Sequence, residues 1–165
     1  MSKQTLVLGA GCFWGVQYFF DQLNGVLETE VGYAGGHVDN PSYEQVCYEN
    51  SGHAEVCRVL FDDEKTSLLE IVKYFFMMHD PTQVNRQGPD VGEQYRSVIF
   101  YVDELSHQMI RNALVEMQKN TDGTIVTSVE KLITFWPAED YHQKFTARTG
   151  RGACHVDPSE ITLPA

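Results

Sequence analysis

The chain has 165 residues, 42% of them hydrophobic and 21% charged, the composition of a globular protein, and it reads as one domain over 1–165. A formal net charge of -11 with no basic cluster excludes a phosphate-backbone partner, so no nucleic acid is expected. No apolar run approaches the roughly 18 residues of a membrane span, so no membrane partner is expected either.

The N-terminus carries Lys3 ahead of TLVLGAGCFWG, with a cysteine after small residues as at a lipoprotein cleavage site. The apolar run is too short for the roughly 7–15 residues of a signal core, so a mature start at Met1 and a cytoplasmic location are expected. There the four cysteines, Cys12, Cys47, Cys57 and Cys154, should be mostly reduced, and any disulfide among them transient and catalytic.

In chain order, the pattern predicts a strand near Thr5–Gly9, a helix from about Phe13 to Leu23 and an alternating strand over Val26–Tyr33. A polar, glycine-bearing loop follows. A strand near Ala54–Phe61 and a helix near Ser67–Met78 come next, then a loop punctuated by Pro81, Gly88, Pro89 and Gly92. A strand Ser97–Val102, a long helix Glu104–Asn120 and a strand Ile125–Leu132 complete the regular part; the tail from Phe135 carries one short helix after Pro137. The order suits an α+β two-layer sandwich with a mixed sheet and a ferredoxin-like core, long functional loops and an irregular C-terminal tail. Nothing patterned suggests a coiled coil, and a monomer is expected.

The stretch LVLGAGCFWG, Leu6 to Gly15, resembles a dinucleotide loop, G-x-G-x-x-G, with Glu28 or Glu30 as the later acid. The third glycine position holds Trp14 instead, and an indole there blocks close approach of helix to sheet. The other reading sets Cys12 at the strand-to-helix turn, where unpaired N–H groups and the helix dipole favour a thiolate. Against it stands the plain alternative of a small buried thiol, which most free cysteines are.

A cysteine nucleophile commonly works with histidine, but periodicity assigns none of His37, His53, His79, His107, His142 and His155 to Cys12. A cysteine hydrolase or acyltransferase stays open, as does a non-enzymatic nucleotide-binding or zinc-stabilised module. Cys47, His53 and Cys57 offer three zinc ligands without a C-x-x-C pair, and Cys47 and Cys57 are expected as buried apolar thiols. Glu55 opens an apolar strand. Pointing inward, it would be a carboxyl with a raised pKa able to give up a proton near neutral pH; from pattern alone, the solvated face of an edge strand is favoured. Tyr43, Tyr95 and Asp90 fall in the two loops, where tyrosine hydroxyls can donate to a developing oxyanion. Phe19 and Phe20 read as core, while Phe13 and Trp14 lie at the helix mouth beside Cys12.

GCFWG (11–15), GYAGG (32–36), YEQVC (43–47), GHAEV (52–56), GPDVGEQYRS (88–97) and FWPAEDYHQKF (135–145) together resemble the class A peptide methionine sulfoxide reductases, in family order over nearly the whole chain. The resemblance implies an oxidoreductase that takes the S epimer of methionine sulfoxide, free or in peptides and proteins, and needs no cofactor and no metal. Cys12 would attack the sulfoxide sulfur and be left as a sulfenic acid; Glu55 would supply the proton, Tyr43 and Tyr95 would hydrogen-bond the oxygen, and Asp90 would help hold the site. Phe13 and Trp14 would line the pocket for the substrate methyl group. Cys154, in RTGRGACHVD, matches the family's first resolving cysteine, and a Cys12–Cys154 disulfide would be reopened by thioredoxin or a similar dithiol reductant. No second C-terminal cysteine follows, which implies a two-cysteine cycle, with Cys47 or Cys57 as the other possible resolving thiols.

Overall fold

The computed structural model describes residues 2–153 and 156. Its elements in chain order are β1 (Lys3–Ala10), α1 (Phe13–Asp21), β2 (Val26–Ala34), α2 (Tyr43–Tyr48), β3 (Ala54–Asp62) and α3 (Leu68–Met77). Then come a small hairpin, β4 (Arg86–Gln87) and β5 (Asp90–Val91), a 3-10 turn Glu93–Tyr95, β6 (Ser97–Tyr101), α4 (Glu104–Lys119), β7 (Ser128–Lys131) and β8 (Trp136–Pro137). A second 3-10 turn, Asp140–His142, and α5 (Phe145–Thr149) close the described chain.

Six strands form one sheet in the order β7-β6-β1-β3-β2-β8. Every neighbouring pair is antiparallel except β6 with β7, which makes the sheet mixed. Within it β6-β1-β3-β2, with α1 and α3 as crossovers, is the ferredoxin-like arrangement of two interlocked split β-α-β units.

Alternation along the strands decides the layers. Leu6, Leu8, Val31, Tyr33, Cys57, Val59, Phe61 and Ile99 face α1, α3 and α4 and form the main core. Val7, Ala34, Ala54, Val56, Val98 and Phe100 face the other side, covered by Leu132 and Phe135. Each large apolar side chain removed from water in this way contributes about 2 kcal/mol.

The helices begin where the sequence supplies caps. Ser67 accepts the Glu70 N–H at 3.1 Å and Asp103 accepts the Ser106 N–H at 2.8 Å, satisfying first-turn donors of α3 and α4. The bounds of the expected strands and helices through β7 agree to within a few residues, but α2 lies in the first expected loop, the β4–β5 hairpin and the Glu93–Tyr95 turn lie in the second, and the tail adds β8 and a 3-10 turn to its short helix. The start of α2 is a capping box: Ser42 and Gln45 exchange side-chain-to-backbone bonds at 3.2 and 2.9 Å. Among the described residues no helix is long and apolar enough to cross a membrane.

Candidate active site

The site is built at one end of the sheet, where β1 hands over to α1. Gly11, at φ 90°, takes the left-handed conformation that turns the chain out of the strand. Cys12 then stands as the N-cap of α1, 9% exposed, beside backbone donors that no preceding helical turn can satisfy. One of them, Phe13 N–H, is donated to Glu55 Oε1 at 3.2 Å. Cys12 is disulfide-bonded in this structure, whereas Cys47 and Cys57 are free thiols. Cys154 lies outside the described residues.

Glu55 overturns the pattern-based preference for a solvated edge. β3 is paired on both sides, by β1 and β2, so it is an interior strand, and Glu55 shares the helix-covered face of Cys57 and Val59. It is 1% exposed and opposite Tyr33 in the ladder. Burial pushes its carboxyl up to about 8; the Phe13 N–H pulls the other way, and the charge of Asp90 adds to the rise. Oε2 is buried and has no hydrogen-bond partner among the described residues. Glu55 is therefore a neutral acid at pH 7 with one oxygen unengaged.

Tyr43 and Tyr95 come together beside it. Tyr43 is the first residue of α2, not a loop residue, and Tyr95 ends the 3-10 turn before β6. Their hydroxyls hydrogen-bond each other, and both are raised well above the usual phenol range, by burial first and by the nearby Glu55 charge. Asp90, on the β4–β5 hairpin, is raised by its own burial and reaches both Glu55 and Tyr95 electrostatically.

Of the two cysteines expected to be buried, Cys57 is fully enclosed and its thiol is pushed far up by burial. Cys47 departs from that expectation. It is half-buried, one helical turn from Tyr43 on the same face of α2, and hydrogen-bonds Tyr43 and Gln94.

An aromatic wall closes the other side. Phe13 is buried, its ring 5.7 Å from Tyr33 and 5.2 Å from His142. Trp14 stacks on Phe145 at 4.0 Å and donates its indole N–H to His142 Nδ1 at 2.9 Å. That bond fixes the His142 tautomer with the proton on Nε2, and burial holds the ring below the usual histidine range, so it is neutral. Nε2 is buried without a partner among the described residues. Sequence reasoning leaves His142 unassigned; its contacts cross 128 positions, and no local signal announces them.

Gly15 brings the C-terminal segment to the same place. A Cβ there would collide with the Ala153 carbonyl and crowd Val156, so only glycine admits the chain on either side of position 154.

The arrangement offers a cysteine at a helix start, a buried acid on the neighbouring strand that accepts an N–H from the helix's first turn, paired phenols and an aromatic wall. The alternatives find less support. His53 accepts the Gly36 N–H at 3.1 Å through Nδ1 and has Nε2 2.7 Å from the Val38 carbonyl; His142 is taken by Trp14. Among the described residues no three His, Cys, Asp or Glu side chains gather as a metal site, so Cys47, His53 and Cys57 do not form one. The indole that breaks the dinucleotide pattern is held by Phe145 and His142 instead.

A family model described as peptide methionine sulfoxide reductase matches residues 4–163. The peptide methionine sulfoxide reductase MsrA of Alkaliphilus metalliredigens is 48% identical over 154 residues, covering 93% of this chain and 98% of that one. Among solved structures, Mxr1 of Saccharomyces cerevisiae in reduced form is similar at a TM-score of 0.89 and 30% identity, over 94% of this chain and 91% of that chain. Mxr1 in complex with Trx2 has the same fold at a TM-score of 0.62 and 23% identity, over 87% of this chain and 84% of that chain. The glycine-bared cysteine, the buried acid and the matched span agree, and the chain belongs to the class A peptide methionine sulfoxide reductase family.

Proposed function

We propose that this chain reduces the S epimer of methionine sulfoxide, free or within proteins, to methionine, and so repairs oxidised proteins. The observation that carries the reading is Glu55: a buried neutral carboxyl one main-chain hydrogen bond away from the helix start that Cys12 caps.

In the reduced enzyme the Cys12 thiolate, favoured by the helix start, attacks the sulfoxide sulfur. Glu55 gives its proton to the sulfoxide oxygen, and Tyr43 and Tyr95 donate hydrogen bonds to that oxygen as charge develops on it. Asp90 helps to hold the site, and Phe13 and Trp14 receive the methyl group. The sulfur–oxygen bond of the substrate breaks, methionine leaves reduced by two electrons, and Cys12 is left as a sulfenic acid. Glu55 regains a proton from solvent.

The Cys154 thiol then displaces water from the sulfenic acid to give a disulfide with Cys12, which thioredoxin or a similar dithiol reopens by exchange. The disulfide at Cys12, with Cys47 and Cys57 both free, supports this, as does the packing of Ala153 and Val156 beside Gly15. The complex of Mxr1 with Trx2 supports a thioredoxin as the dithiol. The reading assigns the whole reaction to one domain over 1–165, acting as a monomer in the cytoplasm and without a cofactor.

The test is turnover of a methionine-S-sulfoxide peptide with dithiothreitol and with thioredoxin, for wild type and Cys154→Ser. Wild type should turn over with both, and the variant with dithiothreitol alone. A variant that keeps thioredoxin turnover would remove Cys154 from the cycle, and no turnover by wild type would remove the activity.

A further inference from the structure

We infer that Glu139 is a positioning residue for Tyr43, and that the reaction depends on the carboxylate it places between α2 and β2. The inference rests on the role given to Tyr43 in the proposed reaction. Glu139 immediately precedes the 3-10 turn Asp140–His142. Its Oε2 accepts the Tyr43 backbone N–H at 3.0 Å, and its Oε1 accepts the Tyr33 hydroxyl at 2.9 Å. Its own main chain is anchored on both sides: Ala138 N–H is donated to the Val31 carbonyl at 3.0 Å and His142 N–H to the Glu139 carbonyl at 2.9 Å. One carboxylate thus ties the start of α2 to the strand that faces Glu55 across the ladder.

The need for such a tie follows from the length of α2. Six residues make a helix with almost no stability of its own, so its position is set by what holds its ends. The capping box satisfies the Gln45 and Ser42 N–H groups and leaves that of Tyr43 unpaired. Glu139 supplies the missing acceptor, from 96 residues away in sequence, and a hydrogen bond to a charged acceptor is among the stronger kinds. Burial alone would raise the Glu139 carboxyl, but the Tyr43 N–H, its own backbone N–H and the Tyr33 hydroxyl together hold the group below the usual carboxylate range, so it is charged at neutral pH. Without it the start of α2 loses its fixed point, and the Tyr43 hydroxyl loses its place beside Tyr95 and Glu55. Glutamine can still accept the Tyr43 N–H through its oxygen while its NH2 group donates to the Tyr33 oxygen; alanine can do neither.

The experiment measures kcat and KM with dithiothreitol on a methionine-S-sulfoxide peptide for Glu139→Ala, Glu139→Gln, Tyr43→Phe and the Glu139→Ala/Tyr43→Phe double variant. Alkylation of reduced Cys12 by iodoacetamide is followed alongside. Glu139→Ala should lower kcat/KM about tenfold, mostly in kcat. Glu139→Gln should recover most of that loss, and Cys12 should alkylate at the wild-type rate in all variants. In the double variant the two losses should not multiply, because Glu139 acts through the hydroxyl that Tyr43→Phe has already removed. If Glu139→Ala does not fold, Glu139→Asp, a methylene too short to reach both donors, takes its place in the cycle. Multiplying losses, an unimpaired Glu139→Ala, or a glutamine variant as poor as alanine would each overturn the inference. An unimpaired Tyr43→Phe would overturn the role of Tyr43 itself and this inference with it, whereas an impaired Tyr43→Phe beside multiplying losses would overturn only the role of Glu139.

Discussion

Trp14 donates its indole N–H to His142 Nδ1 at 2.9 Å, joining the first turn of α1 to the 3-10 turn near the C-terminus. Trp14→Phe keeps a ring to stack on Phe145 but leaves a buried imidazole nitrogen without its donor. Stability should fall by about 1–3 kcal/mol, the cost of an orphaned buried polar atom. KM for a methionine sulfoxide peptide should rise more than kcat falls, since the wall loses its register while Cys12 and Glu55 keep theirs. Denaturant unfolding and steady-state kinetics check the two halves.

Glu55→Gln removes the acid and retains the volume. Because general acid catalysis contributes on the order of 10²–10⁴ in rate, kcat should fall by that factor while Cys12 remains alkylatable. In wild type, kcat/KM should decline above a pH of about 8 as Glu55 ionises. That alkaline limb should vanish from the residual activity of the variant, which a pH profile from 6 to 10 resolves.

The same carboxyl makes stability depend on pH. Its folded value of about 8 lies above the ordinary 4.5, so between those values the folded chain holds a proton that the unfolded chain has lost. Stability contributed by this group therefore falls as pH rises through that window and is lowest above it. Glu55→Gln should raise the melting temperature of the reduced protein at pH 8.5 by about 3 °C or more, and much less at pH 5. Equal shifts at both pH values would show that ionisation at Glu55 is not the cause.

Gly15→Ala should separate the two halves of the cycle. The added methyl group meets the Ala153 carbonyl, which is backbone and cannot rotate aside as a side chain could. The C-terminal segment should be displaced while Cys12 stays at its cap, so dithiothreitol-supported reduction should persist and thioredoxin-supported turnover should fall about tenfold. Stopped-flow measurement of disulfide formation at Cys12 would locate the lesion.

Glycines around Cys12, the two-residue period of β2 and the helical spacing of α3 are properties of neighbouring residues, and the elements they predict are present. The burial of Glu55 is not legible in its own strand, because it depends on β3 lying between β1 and β2, which pairing decides. α2 did leave a signal, Ser42 followed by Gln45, which is a capping box in an otherwise loop-like passage. Cys47 gains meaning only once α2 is seen as a helix, since its partner is Tyr43 one turn earlier. His142 and Glu139 act through partners about a hundred residues distant or more, beyond the reach of any periodicity.

The bond between Glu55 and α1 is made to the main-chain N–H of Phe13, not to its side chain. Every amino acid but proline carries that donor, so a change of side chain at position 13 alters the ring that faces Tyr33 and His142 without removing the link between Glu55 and the helix start. The shape of the aromatic wall and the anchoring of Glu55 are thereby written on different atoms of the same residue, and each is free to be inherited without the other.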